Sequence, residues 1–283
     1  MPANRLTFRA ICGDGSAQEH RGYDAIYVSG QRVQPYPEGT AKRISAGAQL
    51  IFQVHYTPVG TEQLNQSRVG MVFVDPATVK YEVRTASAVN SDLRIPPHAA
   101  EHRVEAASPR LRVKSALLSL TPHMHLRGKS FFYEAVFPDD RCEPLLDVPQ
   151  YDFNWQTAYR LAEPMSLPAG TRIHCVAHFD NSADHLANPD PAKTVRWGEQ
   201  TWEEMMIGYF DYSVPVGSET GLREANRPRQ RVEELFERLD GNIDERLTRD
   251  EVPNRFHPLF DRLDGNADDE LSIEELEAIQ SQL

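Results

Sequence analysis

The stretch Ser119-Leu-Thr-Pro-His-Met-His-Leu-Arg-Gly-Lys129 carries two histidines, His123 and His125, one residue apart. On a β-strand, residues i and i+2 point to the same face, so two imidazoles at this spacing can bind one ion without a backbone bend. The residues that follow, Ser130-Phe-Phe-Tyr-Glu-Ala-Val-Phe137, are aromatic and β-branched, and Pro138-Asp-Asp140 supplies a turn. This reading puts both histidines on sheet and makes the body around them a β-fold. A His-x-His is also a common surface or hydrogen-bonded pair, so a metal role requires a third ligand from elsewhere in the chain.

Outward from that stretch, short strands recur about every ten residues. Ala48-Gln-Leu-Ile-Phe-Gln-Val-His-Tyr56 alternates Leu50, Phe52, Val54 and Tyr56 with Gln53 and His55, which puts His55 opposite the apolar set. Val69–Val74 and Val79–Val83 read as strands, Ile95-Pro-Pro97 as the end of a loop, and Leu111–Leu118 as the lead into the histidines. Ile173–Phe179 reads as a core strand, and Glu203–Val214 as the closing strand through the middle of a sandwich. The first fifty residues, broken by Gly13, Gly15, Pro35, Pro37 and Gly39, look irregular, with Ala25–Val28 as a short strand. Twenty prolines and sixteen glycines in 283 residues favour strands and turns over a helical bundle.

The formal charge of −12 argues against a nucleic-acid footprint, and no apolar run is long enough to span a bilayer. From Arg229 onward there are sixteen acidic and seven basic residues, so nine of the twelve net negative charges lie in the last fifth of the chain. Three cysteines, Cys12, Cys142 and Cys175, are too few for a disulfide framework. The first residues lack the apolar core of a signal peptide, which leaves a cytoplasmic location or a lost start as expectations.

After a linker over residues 216–228, the pattern becomes helical, with Val232, Leu235, Phe236 and Leu239 at i, i+3, i+4 and i+7. Two twelve-residue segments then repeat one pattern, Asp240–Glu251 and Asp264–Glu275. Both match an EF-hand calcium loop. The expected ligands are Asp240, Asn242, Asp244, Arg246 and Glu251 in the first, and Asp264, Asn266, Asp268, Glu270 and Glu275 in the second, with Arg246 and Glu270 at the backbone-carbonyl position. Position 6, normally Gly because the loop turns there with positive φ, is Glu245 in one and Asp269 in the other. Asp tolerates that region better, so the second loop ranks as the better Ca²⁺ site.

Copper that cycles through Cu(I) favours a thioether beside imidazoles, and Met205 and Met206 lie in the closing strand. His123-Met-His-Leu-Arg-Gly-Lys129 followed by Glu204-Met205 resembles the copper type II, ascorbate-dependent monooxygenases, the family of the peptidylglycine hydroxylating enzyme and dopamine β-hydroxylase. Gln53-Val-His-Tyr56, Ile95-Pro-Pro97 and Cys175-Val176 fit the same family, and Asp152-Phe-Asn-Trp-Gln156 with Glu204-Met-Met-Ile-Gly208 resembles a bacterial branch. The resemblance covers roughly residues 40–214. It implies a jelly-roll β-sandwich, a copper held by His123, His125 and Met205, and a substrate contact at Tyr209. Met206 alternates to the other face and is expected in the core. His178 reads as buried and hydrogen-bonded, and His98, His102, His185 and His257 as loop or surface residues.

The family's other copper uses an adjacent His-His pair before the Gln-Val-His-Tyr, and the only histidine before His55 is His20. The expected layout is therefore a remnant of an N-terminal copper sandwich over 1–64, a C-terminal jelly-roll copper domain over 65–215, the linker, and a small α-helical EF-hand pair over 229–283. By resemblance, the activity is C–H hydroxylation of a small-molecule or peptide substrate with O₂ and ascorbate, outside the cytoplasm, with His55 as a remnant second copper ligand. A truncated gene product, a partner chain supplying the missing half, or a one-copper descendant would each account for this layout. The alternative is a non-catalytic copper- and calcium-binding protein. The carboxylate-gripping arginine of the peptide enzyme is replaced by Thr121, which leaves the substrate open.

Overall fold

The computed structural model describes residues 5–11, 25–27, 35–44, 46, 48–55, 60–62, 64, 66, 70–218, 239–240, 246–252, 257–266, 268–272 and 275. The chain forms two compact units, residues 1–106 with 110–216, and residues 107–109 with 217–283.

The first unit is mainly β. Its strands are β1 (Arg5–Ile11), β2 (Ala25–Tyr27), β3 (Thr40–Ala41), β4 (Gln49–His55), β5 (Tyr81–Val89), β6 (Arg94–Ile95), β7 (His102–Ala107), β8 (Ser115–His123), β9 (Gly128–Val136), β10 (Cys142–Val148), β11 (Tyr159–Leu167), β12 (Arg172–Phe179), β13 (Val195–Arg196) and β14 (Ile207–Pro215). A four-stranded sheet, β10-β9-β12-β7, and a five-stranded sheet, β11-β8-β14-β5-β3, share one apolar core; β2-β1-β4 and β13-β6 are separate small sheets. Alternation builds that core. On β12, Ile173, Cys175, Ala177 and Phe179 are fully buried while His174 and His178 face the other way. On β9, Phe131, Tyr133 and Ala135 do the same, and Leu117, Leu120, Ala88 and Phe210 meet them from the five-stranded sheet. Each fully buried Leu, Ile or Phe stabilises the fold by about 1.5–3 kcal/mol over an exposed one.

The closing strand, β14, lies at the centre of its sheet between β8 and β5, paired to both over most of its length. At its Gly208 the two sheets press close: a Cβ there would collide with Cys175 Sγ and sit 3.0 Å from Tyr133. A side chain at that point would hold the sheets apart.

Three sequence expectations change. Strand β8 starts at Ser115, not Leu111, and ends at His123, so His125 lies beyond the strand, in the turn by which the chain leaves one sheet for the other. The segment 70–75 forms no strand, and Val72, Phe73 and Val74 are exposed; an isolated strand has no ladder to complete its backbone hydrogen bonds. Conversely, β1 forms within the seemingly irregular N-terminus, because β4 offers it a full antiparallel ladder from Arg5↔His55 to Ile11↔Gln49.

In the second unit, the described residues include β15 (Leu247–Thr248) and β16 (Glu270–Leu271), paired antiparallel through Leu247↔Leu271, and one short helix, α1 (His257–Leu263). Leu247, Val252, Phe260 and Leu271 form a small apolar cluster with Leu239 and Leu263 against it. The helix expected around Val232, Leu235 and Phe236 lies outside the described residues. Among the described residues, no helix is long and apolar enough to cross a membrane.

Candidate metal centre

His123 closes β8 opposite Ile207 of β14, on the sheet face away from the main core. Met205, Ile207 and Tyr209 lie on that same face as a separate buried cluster beside Trp197, whereas Met206 points into the main core, as the alternation expects. His123 and His125 are each 4% exposed, with ring centroids 5.3 Å apart and nearly perpendicular planes. The Tyr209 ring is centred 6.4 Å from His123, and Phe153 lies edge-on 6.1 Å from His125.

The turn between the histidines is pinned on all sides. Met124, between them, is fully buried in the core. Its backbone N–H donates to Tyr151 Oη (3.0 Å), and that hydroxyl donates to Met124 O (2.7 Å). Gly128 lets the next strand start this close, since a Cβ would be 2.7 Å from Tyr151 and 2.8 Å from Met124.

Glu204 ties this turn to the methionine strand. Its side chain is fully buried: Oε2 accepts from His125 N (2.8 Å) and Met205 N (3.3 Å), and Oε1 from Arg127 N (2.6 Å). One carboxyl oxygen thus receives the backbone N–H groups of two of the three expected copper ligands. Burial pushes the Glu204 carboxyl up to about 8, against the pull of these N–H donors and the Arg127 guanidinium. Arg127 is itself buried, donating to Asn181 Oδ1 (3.0 Å) and Trp202 O (2.9 Å); burial lowers its pKa while Glu204 and Asp190 oppose the shift.

The imidazoles are oriented through Nδ1. His123 Nδ1 lies 2.6 Å from Gln156 Oε1, whose amide nitrogen donates to Phe153 O, and His125 Nδ1 lies 3.2 Å from Glu203 O. Both contacts are acceptor oxygens, so each Nδ1 carries the proton and each Nε2 the lone pair, the tautomer that binds a metal through Nε2. Two imidazole nitrogens and a thioether suit copper, and this donor chemistry fits the expected group. Among the described residues, no three His, Cys, Asp or Glu side chains are grouped to hold an ion, and a site completed by Met is of a different kind.

Sequence reasoning missed the roles of Gln156 and Tyr151. The signal for Gln156 was its place at the end of Asp152-Phe-Asn-Trp-Gln156, which does not reveal a partner 33 residues away along the chain. Of the other histidines, His178 Nδ1 meets Ser130 Oγ (3.1 Å), and His174 sits between Glu134 and Glu105 on the outer face of the four-stranded sheet. His55 ends β4, and its side chain lies outside the described residues.

In the acidic unit, Asn242 and Asp244 lie outside the described residues, as does Glu245. In the second loop, Asp264 Oδ1 and Asn266 Oδ1 accept from Asp268 N, Asp264 Oδ2 from Asp269 N, and Asp268 Oδ1 from Glu270 N. Asp269 has φ 62°, the left-handed conformation expected at position 6. Glu275 closes the loop, accepting from Gly265 N at one oxygen and from Ser272 N and Oγ at the other, which holds its carboxyl below the ordinary value. Glu251 accepts from Thr248 N and Oγ in the same way, and Arg246 pairs with Glu270 at 2.7 Å between the two segments.

No protein-family model matches this chain, and neither does any curated protein. Two solved structures align over most of it: infectious bursal disease virus, Gt strain (9% identity, TM-score 0.26, 77% of this chain), and the VP2 subviral particle of infectious bursal disease virus (8%, 0.24, 76%). The chain spans 57% and 61% of those two chains. Similarity this low bears on neither fold family nor activity.

Proposed function

We propose that the first unit is a jelly-roll copper domain of the ascorbate-dependent monooxygenase type and that the second is an EF-hand pair. The jelly-roll reading is supported by two packed sheets between which the chain repeatedly crosses, as from β8 to β9 and from β11 to β12. The EF-hand reading is supported by the Leu247↔Leu271 ladder between the two acidic segments and by the repeated closure at Glu251 and Glu275.

The single observation carrying the copper reading is Glu204, which draws the backbones of His125 and Met205 onto one oxygen beside His123. His123, His125 and Met205 would hold the metal, which when bound supplies one-electron redox chemistry with O₂ for hydroxylation of a substrate C–H. This chain's residues keep the imidazoles in the correct tautomer through Gln156 and Glu203 O, hold the turn in place through Tyr151, and exclude water by burial. Tyr209, beside His123 on the same face, is the proposed substrate contact. Ascorbate would be the reductant, and the substrate a small molecule or peptide.

A second reading, non-catalytic binding of copper and calcium, is favoured by the lack of an adjacent His-His pair in the sequence. Copper loading and dialysis of the wild type and His123→Ala test the site: about one copper per chain, lost in the variant, is expected. Equal binding by both, or none, would sink the copper reading. Ascorbate-dependent O₂ consumption with a hydroxylated product then separates enzyme from binding protein, and a second copper per chain would bring His55 into the account.

A further inference from the structure

Asn181, just past the end of β12, is fully buried, and its side-chain amide uses its whole hydrogen-bonding capacity. Oδ1 accepts from Arg127 Nε and from Asn188 Nδ2, both at 3.0 Å, and Nδ2 donates to Pro96 O (2.8 Å) and Lys193 O (2.9 Å). Its backbone N–H donates to Ala99 O at 2.7 Å. An amide that accepts twice and donates twice is fixed in one orientation.

Pro96 belongs to the Ile95-Pro-Pro97 motif. Ile95 and Pro96 each precede a proline, which biases both toward extended backbone, and Ile95 is fully buried and paired with Val195. The Pro96 carbonyl is therefore a fixed acceptor, and the Asn181 amide hangs from it. From there the path to the expected ligands is short. Asn181 holds Arg127 Nε, the Arg127 backbone N–H donates to Glu204 Oε1, and Glu204 Oε2 accepts from His125 N and Met205 N. Residues near Asn181 touch the same turn: Asp180 N donates to Arg127 O (2.8 Å), and His185 Nε2 lies 2.8 Å from Leu126 O.

We propose that Asn181 is a positioning residue of the candidate metal centre: through Arg127 and Glu204 it sets the separation of His125 from Met205, with Ile95-Pro-Pro97 as its anchor. Without the Asn181 acceptor, the buried guanidinium must turn to find another, and it takes with it the backbone N–H that holds Glu204 Oε1. Glu204 then no longer draws His125 and Met205 onto one oxygen. The effect on copper rests on the proposed copper site, whereas the geometry of the turn holds in the copper-free chain.

Two variants separate positioning from stability. Asn181→Asp keeps an acceptor for Arg127 and loses both donors, whereas Asn181→Leu loses acceptor and donors alike. Both lose the bonds to Pro96 O and Lys193 O, so both should unfold at lower urea. Amide hydrogen exchange of the full copper-free chain, and competition with a Cu(I) chelator, read the difference. In Asn181→Leu the His125 and Arg127 amides are expected to exchange about tenfold faster or more, relative to the β14–β5 ladder, and Cu(I) to bind about tenfold more weakly or worse. In Asn181→Asp, exchange on the same scale and copper affinity should both stay within about threefold of wild type. Equal losses in the two variants, or none in Asn181→Leu, would overturn the proposal. If Asn181→Leu does not fold, Asn181→Asp decides alone: loosened His125 and Arg127 amides overturn the proposal, and protected ones support it. A wild type that binds no copper removes the copper reading alone, and the exchange result still decides the role of Asn181.

Discussion

The candidate copper centre and the second acidic loop are built in opposite ways. At the candidate copper centre, the residues that position the expected ligands come from far along the chain: Glu204 bonds His125 across 79 residues, and Gln156 bonds His123 across 33. In the loop, Asp264, Asn266, Asp268, Asp269 and Glu275 arrange one another within twelve residues, through backbone N–H bonds at the surface. The first arrangement exists only once the sandwich has folded, because its partners are far apart in sequence and its hydrogen bonds are buried or part-buried. The second depends on local turn chemistry and stays wet. Substitutions at the candidate copper centre should therefore change global stability together with the proposed metal binding, whereas substitutions in the loop should change the proposed calcium binding alone.

The largest expected effect that would break this contrast is at Glu204. Glu204→Ala leaves three backbone N–H groups without their acceptor and empties the fully buried space the side chain fills, and should cost roughly 3–5 kcal/mol in urea unfolding of the first unit. A loss under about 1 kcal/mol would mean that the turn and the methionine strand are held by something else. Next is Gly208→Ala, which pushes a methyl into Cys175 Sγ and Tyr133 and should cost about 1–3 kcal/mol. Adding Cys175→Ala should recover part of that cost, and additive losses would contradict the contact. Gln156→Ala sharpens the comparison, because it should weaken copper binding by roughly 10–100-fold through loss of the His123 tautomer restraint. Competition with a Cu(I) chelator reads the change. Smallest is Asp269→Gly, which relieves the left-handed backbone at φ 62° and should raise calcium affinity by up to about tenfold in a calcium titration, leaving the urea transition of the first unit unmoved.

What could be read in the sequence follows the same division. The twelve-residue repeat and the positive φ at Asp269 are visible because they lie in one contiguous pattern. The faces of β9, β12 and β14 were visible too, since burial alternates with period two; Met205 and Met206 separate on that ground alone. The positions of Gln156 and Tyr151 beside the histidines were not, because nothing local distinguishes a glutamine or tyrosine that will meet a turn across the sandwich. The strand end at His123 was hidden for a related reason: the aromatic run 130–137 continues the strand pattern past the point where the chain changes sheet. The exposed Val72-Phe73-Val74 shows the converse, a strand-like pattern that forms no ladder among the described residues.

The most direct test of the central claim is X-ray absorption of the Cu(I)-loaded chain, compared between wild type and Met205→Leu. The account predicts about two nitrogen scatterers and one sulfur at the copper, with the sulfur shell gone in the variant and the nitrogen shell kept. A wild-type spectrum without sulfur, or a sulfur shell that survives Met205→Leu, would contradict it.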